Sequence, residues 1–152
     1  MYNNRFSNKA EEALRQAAAA ASALGQVYVG TEHILVGLLQ EGTSAAAQIL
    51  ESHGASRERV LALIRQLIAP ESPVRVADRS RYSPRAERVL ENSYKEAVQF
   101  KASLIGTEHI LIALLKDQEC SAAKLLGTMN INIQRLYVDI LTSMGADASQ
   151  YK

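Results

Sequence analysis

An all-α domain of eight helices, arranged as two four-helix repeats about a pseudo-two-fold axis, is the fold this sequence predicts. Three observations carry that expectation. The decapeptide GTEHILVGLL beginning at Gly30 returns as GTEHILIALL beginning at Gly106. One gapless offset of 76 residues superimposes these glycines and also Ser7 on Ser83, Leu14 on Leu90, Ile49 on Leu125 and Ile64 on Ile140. Between capping and stop signals, apolar residues recur at helical spacing through most of the chain. Two copies are too few for a solenoid, so they are expected to pack on each other as one globule.

Each element follows from local chemistry. Ser7 opens a first helix that runs to about Leu24 with Ala-rich AAAAA in its middle, and Gly25 stops it. Thr31 is expected to cap the second, whose Ile34, Leu35, Leu38 and Leu39 form an apolar stripe. A third spans about Ser44 to His53 and halts at Gly54. Ser56 caps a fourth carrying Val60, Leu61, Ile64, Leu67 and Ile68. Residues 1–69 thus form the first repeat. The stretch 70–82, with Pro70, Pro73 and mixed charges, reads as an exposed linker. The second repeat, 83–145, predicts helices from about Pro84 to Lys101, Thr107 to Asp117, Ser121 to Met129 and Asn132 to Met144, followed by a tail over 146–152.

Composition excludes several classes. At 152 residues, with 47% hydrophobic and 22% charged residues, the chain is globular in composition and long enough for a real core. A formal charge of +1 lacks the basic excess of a nucleic-acid binder. No apolar run approaches a membrane span, and MYNNRFSNKAEEA carries no secretory pattern. The single cysteine, Cys120, cannot form an internal disulfide, so a cytoplasmic location is expected.

The repeated motifs carry a family resemblance. FSNKAEEAL from Phe6, GTEHILVGLLQEG from Gly30, a proline-containing linker, YSPRAERVL from Tyr82 and GTEHILIALL resemble the duplicated Clp N domain of ClpC-type AAA+ protein unfoldases. The resemblance spans essentially the whole chain. It implies a domain seated on an ATP-driven hexameric ring partnered with a ClpP-type peptidase. Such a domain receives substrates and MecA-type adaptors, and in the Gram-positive branch it recognises phosphorylated arginine at two equivalent pockets. Cyclic-peptide antibiotics can target the same surface. The isolated domain is expected to be a monomer, with no cofactor and no catalysis of its own. A stand-alone adaptor or regulatory module without a ring is the alternative.

Phosphoarginine makes a double demand, an acceptor for the guanidino group and an anion hole for the phosphoryl group. Glu32 and Glu108, in the first turns of their helices, are expected to be ionised, outward-facing guanidinium acceptors. Ser7 and Ser83 open helices whose first N–H groups are free to hold an anion. Following the resemblance, Ser7 is expected to join Glu32 and Ser83 to join Glu108. Thr31, Thr107, Lys9 and Arg85 are candidate accessory residues, although capping is the plainer role for the threonines and a solvated basic residue the commoner explanation for Lys9 and Arg85. Tyr2 and Phe6 are candidates for protein contact, with a helix staple as the plainer role for Phe6. The copies differ at Gly37 against Ala113 and at QEGTS against KDQEC, where unequal pockets are expected.

Other motifs carry no chemistry. His33 and His109 lack HExxH-type ligand spacing, and neighbouring helical residues diverge by about 100°, so they read as packed structural histidines with no metal. GLLQEGTS mimics a Walker A loop but lacks its lysine and follows a helix. Cys120 precedes a helix, a place that can lower a thiol pKa, but it has no assignable partner and reads as a structural thiol.

Overall fold

The computed structural model describes residues 5–67 and 82–145. These form α1 (Asn8–Ala23), α2 (Thr31–Glu41), α3 (Ala45–Ser52), α4 (Arg57–Leu67), α5 (Pro84–Gln99), α6 (Thr107–Lys116), α7 (Ser121–Thr128) and α8 (Ile133–Ser143). Every expected helix is present, with ends within one to three residues of those read from the sequence. Tyr2, Ile68, Pro70, Pro73 and the tail over 146–152 lie outside the described residues. Tyr82, the last residue of the expected linker, is half-buried against the core.

Short polar side chains start the helices as the sequence suggests. The Ser7 and Ser83 hydroxyl oxygens each accept from a backbone N–H three residues on, Ala10 and Ala86, at 3.1 Å. Ser44 does the same for Ala47, and its repeat mate Cys120 does so through sulfur for Ala123. The outer helices α1 and α5 bury one face, largely alanine in α1. By contrast, α2 is buried from Thr31 to Leu39, and α6 is buried from Thr107 to Leu115 except at Glu108. A helix buried all round belongs at the centre of a core, and these two occupy it.

The pseudo-two-fold relation is written in backbone contacts. Two isolated parallel bridges, Phe6 with Ile105 and Val29 with Tyr82, are one contact made twice under the same 76-residue offset. Both cross between repeats. His53 at the end of α3 reaches Asp139 of α8 at 2.7 Å, and Thr31 accepts from the Ala122 N–H of α7 at 3.2 Å, so side chains also tie the halves together. No described helix is long and apolar enough to cross a membrane.

Candidate functional site

The repeated Gly-Thr-Glu-His segment is built differently from the expectation that Thr31 and Thr107 cap. Gly30 and Gly106 hold the extended cap position, and the threonines are the first helical residues, buried to 3% and 2% exposure. Thr31 spends its hydroxyl on Ala122 of the other repeat, which is why it faces inward. The reciprocal capping bond comes from the histidines instead. His33 Nδ1 accepts from the Gly30 N–H and His109 Nδ1 from the Gly106 N–H, both at 2.8 Å. Burial lowers both imidazole pKa values, with Glu32 and Glu108 pulling the other way. Because a backbone N–H only donates, each Nδ1 is an acceptor and the proton sits on Nε2. In His33 that Nε2 is buried without a hydrogen-bond partner, 3.9 Å from a Glu32 oxygen.

The glutamates curl back over their caps. A Cβ placed on Gly30 would lie 2.5 Å from Glu32 Oε1, and one on Gly106 would lie 2.5 Å from Glu108 Oε1. Each carboxylate therefore occupies the space that a cap side chain would fill. Glu32 is only 9% exposed and Glu108 is half-buried, so neither projects freely outward. No lysine or arginine pairs with either among the described residues.

The pairing of serines with glutamates is the reverse of that expected. Ser83 N–H donates to the Val29 carbonyl at 2.9 Å, immediately before Gly30, so Ser83 adjoins the turn that Glu32 covers. Ser7 N–H donates to the Ile105 carbonyl at 2.8 Å, and Ile105 N–H donates back to the Arg5 carbonyl at 2.6 Å, which sets Ser7 beside the Glu108 turn. The reason is the hairpin. Helix α1 runs antiparallel to α2, with Gly37 against Ala13 and Ala17 and with Lys9 reaching the Thr43 carbonyl beyond the end of α2. Ser7 thus lies at the far end of α2 from Glu32, about 16 Å along an 11-residue helix. Each candidate pocket draws its helix start from one repeat and its carboxylate from the other.

The remaining candidates serve other ends. Arg85 Nη1 donates to both Asp117 carboxylate oxygens, at 3.0 and 3.1 Å, and Lys9 leans to Thr43, so both tie their helix to the end of the next one. Phe6 is half-buried against the core, not an exposed aromatic. Burial raises the Cys120 thiol pKa and outweighs its helix-start position. Two features escaped the sequence reading. Exposed Tyr28 and its repeat mate Leu104 flank the two turns, visible as the residues two before each repeated glycine. Pro84 removes one of the free N–H groups at the start of α5 that Asn8 supplies in α1, a difference plain in SPR against SNK.

The pattern of the Clp repeat (R) N-terminal domain family matches residues 5–129. The chain belongs to that family. It is 33% identical over 147 residues to the negative regulator of genetic competence ClpC/MecB of Bacillus subtilis, covering 97% of this chain and 18% of that protein. The fold is shared with the N-terminal domain of the caseinolytic protease associated chaperone ClpD from Arabidopsis thaliana, at TM-score 0.79 and 23% identity over 93% of this chain and 98% of that one. It is also shared with a ClpV N-domain solved in complex with a VipB peptide, at TM-score 0.67 and 20% identity over 91% and 88% of the two chains. This Clp N domain spans less than a fifth of the length of the ClpC relative that it matches.

Proposed function

We propose that this Clp N domain is the substrate- and adaptor-docking domain of a ClpC-like unfoldase, and that it reads phosphoarginine in two composite pockets, Ser83 with Glu32 and Ser7 with Glu108. The observation that carries the reading is a pair of carboxylates that, among the described residues, have no lysine or arginine partner, each beside the start of a helix from the opposite repeat. A guanidino group pairs with the carboxylate through parallel N–H donors, and the phosphoryl group meets the free N–H groups and the serine O–H at the helix start. Adaptors of the MecA type fit the same docking role, in line with the ClpC/MecB likeness. The peptide-bound ClpV N-domain supports the capacity of this fold to hold a peptide. Held above a ring, such pockets raise local substrate concentration and need only modest affinity.

Calorimetric titration with free phosphoarginine tests this. Glu32→Ala and Glu108→Ala should each strongly weaken one site, and the double variant should weaken both. A double-mutant cycle then reads the pairing: Ser83→Ala and Glu32→Ala should couple by about 1 kcal/mol, whereas Ser7→Ala and Glu32→Ala should add within about 0.5 kcal/mol. Because Pro84 deletes a donor, the Ser7–Glu108 pocket should bind more tightly. Absence of binding to the wild-type chain, or unchanged binding in the double glutamate variant, refutes the phosphoarginine reading.

A further inference from the structure

A second polar site lies away from both turns, in the groove between α5 and α6. The groove is a concavity of about 320 Å³ with Arg88, Asn92 and Lys95 along one wall and Ala113 and Lys116 along the other. Its lining carries four cations, completed by Arg85, against two carboxylates, Glu96 and Asp117. Both carboxylates are already neutralised inside the groove, Asp117 by Arg85 and Glu96 by Lys116 at 2.7 Å. Arg88 and Lys95 are exposed and make no ion pair among the described residues. Two cations outside any ion pair among the described residues therefore line a concave surface.

The first repeat does not repeat these cations, although its backbone follows the same plan. At the matched positions Arg88 becomes Glu12, Lys95 becomes Ala19 and Lys116 becomes Gln40. Ala113 becomes Gly37, whose missing methyl lets α1 lie directly on α2. The second repeat has Ala113, Val89 and Ser93 at the matched positions, and α5 makes a less extensive contact with α6 than α1 makes with α2. Arg88, Lys95 and Lys116 thus have no cationic counterpart in the first repeat.

We infer that this groove docks an acidic peptide segment of a protein partner. Arg88 and Lys95 sit seven residues apart on one helix, about 10.5 Å along its axis. Carboxylates at i and i+7 of a helix, which share a face, match that spacing. The Asn92 amide between the two cations offers a donor to the same segment. The net charge of +1 supplies no long-range attraction for nucleic acid. The site is independent of the phosphoarginine pockets, whose carboxylates select a cation.

Anisotropy of a fluorescein-labelled deca-glutamate peptide titrated with the 152-residue chain tests the assignment. Saturable binding is expected at 50 mM salt, weakening at 200 mM. Arg88→Gln with Lys95→Gln should weaken it at least fivefold, while Arg15→Gln in the first repeat leaves it within twofold. Circular dichroism confirms that the exposed substitutions keep the fold, and phosphoarginine titration of the same double variant should be unaltered. Absence of saturable binding, or equal affinity in the Arg88/Lys95 variant, overturns the proposal. Tighter binding of an oligonucleotide or of phosphatidylserine vesicles than of deca-glutamate overturns it as well.

Discussion

The two repeats share one backbone plan and differ in how closely their hairpins close. In the first, α2 offers Gly37 to α1, and a Cβ there would overlap the Ala13 carbonyl oxygen and sit 2.9 Å from the Ala17 nitrogen. In the second, Ala113 fills that space and α5 makes a less extensive contact with α6. Duplication thus preserved the centre of the fold, where α2 and α6 are buried all round, and let the outer helix drift. What the drift changed is the surface between α5 and α6.

The largest test of this difference is an exchange at the matched position. Gly37→Ala should destabilise the domain by about 3 kcal/mol, because backbone atoms, which cannot rotate away, meet the new methyl. Ala113→Gly should cost only about 1 kcal/mol, the usual helix penalty. Urea denaturation of the two variants gives the comparison directly. Similar losses in both would show that the α1–α2 approach is no tighter than its mate.

A smaller contrast lies just past the end of each outer helix. Gly25 follows α1 with φ of 78°, and its counterpart after α5 is Lys101 with φ of 58°. A left-handed residue with a Cβ is strained by about 1 kcal/mol, so the first repeat uses the residue suited to the turn and the second does not. Lys101→Gly should therefore stabilise the domain by about 1 kcal/mol, and Gly25→Ala should destabilise it by about as much. Loss of stability in Lys101→Gly would mean that the lysine side chain contributes more than its backbone costs.

The histidines sharpen the comparison within a window of pH. Both have lowered pKa values in the folded state, chiefly through burial, so the unfolded chain takes up protons first as pH falls through about 6.5. Stability is complete above that value and declines below it, toward the lowered folded values. Protonating Nδ1 would also set a donor against the Gly30 or Gly106 N–H. A lower urea midpoint at pH 5.5 than at pH 7.5 is expected. His33 has a buried Nε2 without a hydrogen-bond partner, whereas Glu96 as well as Glu108 favours the charged form of His109. NMR titration should therefore find His33 below His109.

Much of this architecture was legible before any coordinates. The 76-residue offset and the capping serines located eight helices because periodicity and caps are local properties of a sequence. The partners of the helix starts were not local. An offset states that two halves are equivalent, and it is satisfied equally by Ser7 meeting Glu32 or Glu108. Only the antiparallel hairpin, which carries Ser7 to the far end of α2, decides between them. The role of Thr31 was hidden for the same reason, since its hydroxyl serves Ala122 in the other repeat. Gly37 and Pro84 were visible in the sequence, but their consequences depend on which backbone lies opposite.

The smallest contrast concerns the cap of the third helix in each repeat, Ser44 before α3 and Cys120 before α7. The serine oxygen accepts from Ala47 at 3.2 Å and the cysteine sulfur from Ala123 at 3.4 Å, so the two perform one task with different atoms. Cys120 is fully buried, and its thiol also donates to the Leu114 carbonyl at 3.5 Å. Serine at this place would make a stronger cap but a smaller filler, two effects of opposite sign. Cys120→Ser should therefore change stability by less than about 0.5 kcal/mol, while Cys120→Ala, which keeps neither bond, should cost about 1 kcal/mol. With its pKa raised by burial, the native thiol should also resist a disulfide reagent until urea unfolds the chain. Rapid labelling of the folded domain, or an equal loss in both variants, would separate Cys120 from the capping role that Ser44 plays in the first repeat.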